Sequence, residues 1–238
     1  AKAYDVTFTD KDNTIKYCHQ TSWGVSTRMI GAIIMVHGDD NGLVLPPRIA
    51  PTQVMIVPIM QNKEGVLEKA NELKGRLSAD FRVKLDDSDK TPGFKFADQE
   101  MRGIPVRVEI GPKDIEANKC VVVRRDNHEK IEVSLDELEA KLGVILEDIQ
   151  KNMLERARAH RDSHIYSADT YDEFKETIAN KPGFIKAHWC ENRECEDKIK
   201  EDTSATARCI PFEDGNSEGK CICCGKPAKK LVYWGKAY

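Results

Sequence analysis

Residues 21–38 read TSWGVSTRMIGAIIMVHG, and this stretch predicts a strand, a turn and a buried helix. Gly24 marks a tight turn or a close backbone approach. Ser26 or Thr27 supplies a side chain that can cap the helix that follows. Residues 29–36 are mostly large and apolar, which is typical of a core helix. The run is too short to cross a membrane, which needs about 20 apolar residues.

Arg28 carries the one charge at the start of this apolar segment. A guanidinium buried without a partner is costly, so the side chain must face an anion of some kind. The anion is either a ligand in a cleft or a carboxylate of the protein, and the pattern alone favours neither.

The run at residues 21–28, followed by HGDDNGLVLPP at residues 37–47, resembles the third signature motif of the prolyl-tRNA synthetases, which are class II aminoacyl-tRNA synthetases. The similarity continues to the last residue and is closest to the archaeal and eukaryotic-like type. It implies a multidomain α/β and α+β protein. Residues 1–47 would end a class II antiparallel sheet with its motif 3 helix. Residues 51–160 would form an α/β anticodon-binding domain with a mixed sheet, and residues 165–238 a small α+β zinc-binding domain.

The net charge of −3 and the pI near 6.1 give no global basic footprint, so any nucleic-acid contact must come from a local patch. Eight cysteines without a secretory signal or a transmembrane run predict a reducing, cytoplasmic setting and a metal site. Residues 1–8 alternate like a strand inside a sheet. We therefore expect the sequence to be the C-terminal part of a longer protein.

Alternating strand and helix patterns predict an α/β domain with a parallel or mixed sheet. Strands are predicted at residues 4–10, 14–21, 52–59, 81–85, 104–110 and 119–125. Helices are predicted at residues 63–80, from residue 91 to near residue 103, briefly after residue 111, and from a capping box at residues 134–137 to about residue 160. The side chains predicted to face inward on the last helix are Leu138, Leu142, Ile145, Ile149 and Leu154. Residues 39–51, with three prolines, are predicted to link two domains.

Two short-spaced cysteine pairs lie near the end of the chain: Cys190 with Cys195, and Cys221 with Cys224. Pairs of this kind supply four thiolates from two loops, which suits a closed, structural Zn²⁺ site. A set of free buried cysteines is the alternative. Cys223 could replace Cys224 as the fourth ligand.

The remaining cysteines, Cys18, Cys120 and Cys209, are predicted to lie in the core. His188 is a further candidate ligand, although a core or surface role suits it better.

A mixed set of charges lies within fifteen residues of the middle segment: Glu100, Arg107, Lys113 and Asp114. Arginine and lysine donate to guanine O6 and N7, and carboxylates accept from its N–H groups, so the set suits reading guanines by their edges. A solvated sheet edge is the alternative. The resemblance favours guanine recognition over a solvated edge, because residues 103–114 are similar to the family's anticodon-binding segment. The proline anticodon ends in two guanines.

Two further groups could contact RNA. Phe94 and Phe96, with Lys95 between them, offer stacking and a phosphate contact. The basic residues Arg124, Arg125 and Lys130 are predicted to be phosphate contacts or plain surface.

The resemblance implies a proline–tRNA ligase that uses ATP, Mg²⁺ and proline, and whose RNA partner is tRNA(Pro). Arg28 would be catalytic and clamp the ATP phosphates or adenine, and Ser26 would bind the nucleotide. Ser22, Trp23 and Gly24 would wall the proline pocket; core packing is the alternative for Trp23. No membrane partner is expected, and the full-length enzyme is expected to be a homodimer.

The family's other two class II motifs are expected upstream of Ala1, so this chain alone is predicted to be inactive. Two other functions stay open: a non-catalytic tRNA-binding module derived from a synthetase, and a related class II synthetase of different amino-acid specificity, such as a threonyl or glycyl enzyme.

Overall fold

The computed structural model describes residues 1–236. The described chain divides into two compact units, Ala1–Leu142 and a second that begins at Gly143. Within residues 1–236, no helix combines the length and the apolar character that crossing a membrane requires.

The first unit starts with a single 3₁₀ turn, Lys2–Tyr4, and an antiparallel hairpin of β1 (Thr7–Thr9) and β2 (Ile15–Tyr17). Both strands are shorter than predicted, mainly at the ends that lie away from the turn. The turn lies between the two predicted strands. The Asp12 carboxylate stabilises it by accepting from the backbone N–H of Thr14 at 3.0 Å and from its hydroxyl at 2.6 Å.

The first helix, α1 (Arg28–His37), follows an extended segment, and no strand forms over residues 18–26. The prediction that this helix is interior is wrong for the described chain. None of its residues is buried, and Ile30 and Met35 are 61% and 67% exposed. Apolar composition shows what a helix would gain from burial, but it does not show which surface covers it.

A five-stranded mixed sheet forms the centre of the first unit, as predicted. The strands are β3 (Val54–Pro58), β4 (Val83–Leu85), β5 (Val106–Ile110), β6 (Lys119–Arg124) and β7 (Lys130–Ser134). Their order is β4-β3-β5-β6-β7; β3 pairs in parallel with β4 and β5, and the other neighbours are antiparallel. The sequence reading missed β7, because the strand offers only two large apolar side chains at the edge of the sheet.

Three helices accompany this sheet: α2 (Val66–Leu77), α3 (Pro92–Met101) and α4 (Pro112–Glu116). All five residues of β3 are buried, as expected of a central parallel strand. The sequence places apolar residues on α2 at helical spacing, and Val66, Ala70, Leu73 and Leu77 are its buried face. The Thr91 hydroxyl caps α3 by accepting from the Phe94 N–H at 3.4 Å.

The turn-rich segment at residues 39–51 is packed against the sheet unit rather than suspended as a linker. Val44 and Ala50 are 4% and 0% exposed. The Gln53 side-chain N–H donates to the Pro47 carbonyl at 3.2 Å. Because its own proline-rich backbone cannot form a helix, the segment satisfies its polar groups on its neighbours.

A long helix, α5 (Leu138–Ser163), runs from the first unit into the second. It begins after the predicted capping box, since the Ser134 hydroxyl accepts from the Asp136 N–H at 3.3 Å and closes a turn there. Four of the five predicted inward side chains are buried. Leu154 is wrong, because it is 47% exposed while its neighbour Met153 is 1% exposed.

The second unit is a five-stranded sheet with two helices, the α+β arrangement that was predicted. Its strands are β8 (Ile165–Ser167), β9 (Phe184–Trp189), β10 (Ala205–Cys209), β11 (Asn216–Lys220) and β12 (Pro227–Lys236), and its helices are α6 (Tyr171–Asn180) and α7 (Arg193–Thr203). The order is β10-β12-β9-β8, with β11 paired to β12; only β8 and β9 are parallel.

An aromatic cluster forms the core of this unit. Trp234 is 0% exposed and contacts Phe174 and Trp189 edge-on, with ring centroids 6.0 and 6.3 Å away. Its indole N–H donates to the Ala187 carbonyl at 3.3 Å, so the buried polar atom is satisfied. Cys209, predicted to be core, is exposed and stands at the end of β10. The last two residues of the predicted zinc-binding domain, Ala237 and Tyr238, lie outside the described residues.

Candidate functional sites

The motif that resembles a nucleotide site surrounds the start of α1. Thr27 occupies the helix cap without a side-chain bond, and the Ser26 hydroxyl accepts from the Arg28 N–H at 3.4 Å. Arg28 is exposed, and in residues 1–236 no ion pair is recorded for it. The alternative of a closed structural salt bridge therefore does not hold for the described chain.

The residues predicted to wall a proline pocket precede this helix. Ser22, Trp23 and Gly24 are all exposed, and Trp23 is 92% exposed. Core packing of this indole is therefore excluded in the described residues. The described residues do not enclose the indole in a pocket either.

Arg107 is the centre of the predicted RNA reader, and it is held from three sides. It lies on β5 and is 7% exposed. Its Nε donates to Glu109 Oε1 at 2.9 Å, and its Nη1 donates to Glu100 Oε1 at 3.3 Å. Its guanidinium carbon lies 4.0 Å from the centroid of the Phe96 ring. An arginine fixed in this way loses little side-chain entropy when it binds a base.

Lys113 and Asp114, the other two predicted readers, belong to α4, which follows β5. The Asp114 carboxylate accepts from the Gly111 N–H at 2.8 Å, so one of its oxygens caps the start of this short helix. Lys113 is exposed. At about 3.3 Å per residue, β5 separates Arg107 from Gly111 by roughly 13 Å. The four predicted readers therefore form two groups, one at each end of the strand.

The predicted phosphate contact at Lys95 is wrong. Its side chain is buried, and its Nζ donates to Gln61 Oε1 at 3.0 Å and to the Asp86 carbonyl at 2.8 Å. This lysine stabilises the interior because a buried ammonium must find acceptors. Phe94 is 54% exposed and remains available for stacking.

The predicted surface role of Arg124 and Arg125 is also wrong. Arg124 is 7% exposed and forms a two-pronged pair with Asp126, both bonds being 2.9 Å. Arg125 is 3% exposed and pairs with Asp39, which lies in the turn after α1. Lys130 is exposed, as predicted.

The four predicted metal ligands come together in the second unit. The sulfurs of Cys190, Cys195, Cys221 and Cys224 lie within 4.8 Å of one another. The Cys190 sulfur is 3.7 Å from that of Cys195 and 3.8 Å from that of Cys224. Zn–S bonds of about 2.3 Å in a tetrahedron place sulfurs roughly 3.8 Å apart. The donor set and its spacing therefore fit a four-thiolate zinc site.

Two loops position these sulfurs. Cys190 directly follows β9, and Cys195 lies in the first turn of α7, which the Asn192 side chain caps by accepting from the Glu194 N–H at 2.9 Å. Cys221 and Cys224 form a tight turn between β11 and β12, closed by the Gly225 N–H donating to the Cys221 carbonyl at 2.8 Å.

The backbone of this turn also prepares one sulfur for a metal. Burial alone would raise the pKa of Cys221, but backbone N–H groups, first those of Cys224 and Cys190, donate to its sulfur and lower its pKa to about 7. Burial raises the pKa of Cys195. A metal must displace the proton of such a thiol, so affinity depends on pH.

The other candidates are not among the four clustered sulfurs, although Cys223 packs against the cluster that contains Cys195 and Cys221. Cys223 is half-buried against the aromatic core of the second unit. His188 is engaged elsewhere, with its Nε2 3.0 Å from the Ser217 hydroxyl. Cys120 is buried, as predicted, and burial raises its pKa to about 12; Cys18 is only half-buried.

Comparisons with known proteins match the regions that contain the predicted reader and the cysteine cluster. A family described as "Anticodon binding domain" matches residues 53–144, and one described as "Prolyl-tRNA synthetase, C-terminal" matches residues 171–238. Curated proteins named Proline--tRNA ligase match all of this chain: they are 67% identical in Lachnoclostridium phytofermentans, 65% in Lachnospira eligens and 64% in Ruminiclostridium cellulolyticum.

The resemblance to prolyl-tRNA synthetases is confirmed. The chain spans about half the length of the curated relatives it matches, since each alignment covers 100% of this chain and 50% of the relative. The anticodon-binding match contains the predicted readers, and the prolyl-tRNA synthetase C-terminal match contains the four clustered cysteines. Residues 21–28 lie outside both family matches but inside the whole-chain similarity to the ligases.

Several residues that contact Arg107 and Arg125 were not predicted from the sequence. The sequence predicts that Phe96 stacks on a base, but in the structure its ring lies against the Arg107 guanidinium. Glu109 alternates with Arg107 on one face of β5, a period-2 relationship that could have revealed the pair. The partner of Arg125 had no local signal, because Asp39 lies far away in the sequence.

Proposed function

We propose that this chain is the C-terminal part of a proline–tRNA ligase. The observation that carries the proposal is 67% identity along all 238 residues to a protein of that name. In this proposal residues 1–47 end the class II catalytic domain with motif 3, residues 51–160 bind the anticodon, and residues 165–238 form the zinc-binding domain. The full-length enzyme is a cytoplasmic homodimer.

The proposed reaction has two steps. The carboxylate of proline attacks the α-phosphorus of ATP, which gives prolyl-adenylate and pyrophosphate. The terminal ribose hydroxyl of tRNA(Pro) then attacks the adenylate carbonyl, which breaks the acyl–phosphate bond, releases AMP and leaves prolyl-tRNA. Such chemistry depends on positioning and charge neutralisation. Mg²⁺ would supply part of that neutralisation on the phosphates.

Arg28 is assigned to the nucleotide because its exposed guanidinium, at the N-terminus of α1, can clamp phosphate or adenine. Ser26 is placed beside it by the hydrogen bond to the Arg28 N–H and would bind the nucleotide with its hydroxyl. Ser22, Trp23 and Gly24 would contact proline: the exposed indole offers a flat apolar face to the pyrrolidine ring, and the glycine lets backbone approach.

Anticodon recognition is assigned to the two groups along β5. Arg107, held by Glu100 and Glu109, would donate to the acceptor edge of one guanine, and the second carboxylate oxygen of the half-buried Glu100 would accept from its N–H groups. Lys113 and Asp114 offer the same pair of functions at the other end of the strand. Two donor–acceptor groups, one near each end of β5, suit the recognition of two guanines.

Zn²⁺ is assigned to Cys190, Cys195, Cys221 and Cys224. Four thiolates leave no open position on the metal, so its role would be to hold the two loops together. This suits a small unit in which the cysteines themselves form part of a second, smaller buried cluster beside the one around Trp234.

Two measurements test the proposal. In a filter-binding assay, the chain should bind tRNA(Pro) more tightly than a tRNA(Pro) variant with both anticodon guanines replaced; equal affinities would contradict the reader. In an ATP–pyrophosphate exchange assay, this chain alone should give no turnover, because the other class II motifs are assigned to the remaining half of the ligase. Turnover would overturn that assignment.

A non-catalytic tRNA-binding module is the second candidate. It is favoured by the exposure of Trp23 and Arg28, which form no enclosed pocket in the described chain. The two candidates are separated by adding the upstream half of a relative: exchange activity that depends on Arg28 supports the ligase, and its absence supports the binding module.

A further inference from the structure

The segment after α1 is hydrogen-bonded to the end of α3, the helix that carries Glu100. The Leu43 N–H donates to the Met101 carbonyl at 3.1 Å, and the Leu45 N–H donates to the Gly103 carbonyl at 3.2 Å. The two backbones approach so closely that a Cβ on Gly42 would lie 2.5 Å from the Met101 Cα. This segment is therefore seated on the last turn of α3, next to Glu100.

Arg125 joins the same two segments through its side chain. Its Nη1 and Nη2 donate to the two Asp39 oxygens at 2.7 and 2.6 Å, and its Nε donates to the Glu100 carbonyl at 3.0 Å. The side chain is 2% exposed. A buried, two-pronged arginine pair of this kind is directional, which a lysine at the same position could not reproduce.

Glu100 is thus bound twice: its carbonyl accepts from Arg125, and its carboxylate accepts from Arg107 at 3.3 Å. The two arginines also line one small cavity of about 10 Å³, together with Glu100 and Gln99. The helix α1 ends at His37, two residues before Asp39, and it begins at Arg28, about 15 Å away. The described contacts therefore run from Arg107 to the end of α1 without a gap.

We propose that Arg125 is a positioning residue that couples anticodon binding to the seating of the nucleotide motif, through its bonds to Glu100 and Asp39. This inference rests on the proposed function. A guanine that binds Glu100 needs the last turn of α3 in the conformation described above. Residues 39–45 stabilise that conformation through their hydrogen bonds to the end of α3 and through the Asp39–Arg125 pair. RNA binding and seating must then strengthen each other by the same factor.

The test combines amide exchange with RNA affinity in this chain. The probe is a hairpin RNA carrying the proline anticodon, with a second hairpin whose two anticodon guanines are replaced. In the unaltered chain the guanine hairpin should slow exchange of the Leu43 and Leu45 amides by about fivefold or more, the lower end of typical coupling between sites. Arg125→Lys should abolish this added protection and weaken RNA binding by a similar factor.

Arg82→Lys is the matched control. Arg82 also holds the turn-rich segment, by donating to the Ala50 and Pro47 carbonyls at 2.8 Å, but it does not contact Glu100. This variant should speed exchange near residue 50 and leave RNA affinity unchanged. If Arg125→Lys does not fold, Asp39→Asn removes one charge of the same pair and should have the same two effects.

The outcomes are distinct. Suppose that the unaltered chain distinguishes the two hairpins, and that Arg125→Lys and Asp39→Asn bind the guanine hairpin with the same affinity as the unaltered chain. Arg125 then has only a structural role, and the coupling is overturned. If both arginine variants weaken RNA binding equally, the effect is general destabilisation, and the coupling is again overturned. If the unaltered chain does not distinguish the hairpins, the proposed anticodon function fails first, and the coupling fails with it.

Discussion

The guanidinium of Arg107 lies over the ring of Phe96, with 4.0 Å between the guanidinium carbon and the ring centroid. Glu100 and Glu109 hold the edges of the same group. The ring and the two carboxylates hold this side chain in one conformation in the folded chain. Under the proposed function, little further side-chain entropy would be lost when Arg107 binds RNA.

Replacing Arg107 by lysine should weaken binding of the guanine hairpin by about 10- to 100-fold, because a bidentate contact to a base contributes roughly 1–3 kcal/mol. The variant should also lose most of its preference over the hairpin without guanines. Fluorescence anisotropy with both RNAs measures this, and Lys130→Ala, at an exposed position on β7, is the control. An affinity loss that is equal for both hairpins would indicate a phosphate contact instead.

Phe96→Leu should keep the apolar volume but remove the ring under Arg107. The stacking of a cation on a ring is worth about 0.5–2 kcal/mol, so RNA affinity should fall by a few-fold, less than for Arg107→Lys. A double variant measured in the same assay should be less than additive, since both changes remove one arrangement. Strict additivity would show that the ring acts separately.

Cys224→Ser should abolish stoichiometric zinc, whereas Cys223→Ser should retain about one metal ion per chain, because the Cys224 sulfur belongs to the cluster. Metal content is measured by mass spectrometry after dialysis, with the exposed Cys209→Ser as a control. Zinc retained by Cys224→Ser and lost by Cys223→Ser would reverse the assignment of the fourth ligand.

The Asp39–Arg125 pair should make stability depend on pH in a narrow acid window. The hydrogen bond from Arg125 lowers the pKa of Asp39 from 3.8 to about 2. A lowered carboxylate pKa stabilises the folded state fully above about pH 4, and this stabilisation is lost as pH falls towards 2. Because the Asp39 side chain is 39% exposed, we expect about 1 kcal/mol rather than the full value of the shift.

Urea unfolding of the unaltered chain and of Asp39→Asn checks this. The difference in unfolding free energy should be largest near pH 5 and shrink as pH approaches 2. Asp40→Asn, at the exposed neighbouring carboxylate, is the control and should show no such trend. A difference that stays constant with pH would show that the two residues do not interact as a charged pair.

Gly42→Ala and Gly75→Ala should change stability in opposite directions. Gly42 has a φ of +128° and no room for a Cβ beside Met101, so the substitution should cost about 2 kcal/mol or more. Gly75 lies inside α2 with nothing within 4 Å of an added Cβ, so alanine should stabilise by about 0.5–1 kcal/mol. Thermal unfolding distinguishes the two, and equal effects would mean that residue 42 is not tightly packed.

The sequence predicted what depends on local periodicity and spacing. The apolar run of β3, the stripe on α2 and the paired cysteines each contain their own signal within a few residues. β7 was missed because an edge strand needs little apolar surface.

Long-range partners were not predictable in this way. Arg125 and Lys95 read as exposed bases, yet each is buried because a distant group, Asp39 for one and Gln61 for the other, satisfies its charge or its N–H groups. The prediction that α1 is buried was wrong for the opposite reason. Its apolar pattern is typical of a buried helix, but no described residue packs over it closely enough to bury it. The same limit applies to the proline pocket, whose predicted members remain exposed.

The pairing of Val54 on β3 with Val106 on β5 has a kinetic consequence. This parallel contact must close the whole intervening chain before it gains any energy, whereas β5, β6 and β7 are antiparallel neighbours joined by short connections. We expect the three-stranded meander to acquire protection first during refolding, and β3 with β4 to dock onto it later. Pulse-labelled hydrogen exchange would contradict this order if the β3 amides became protected before those of β6.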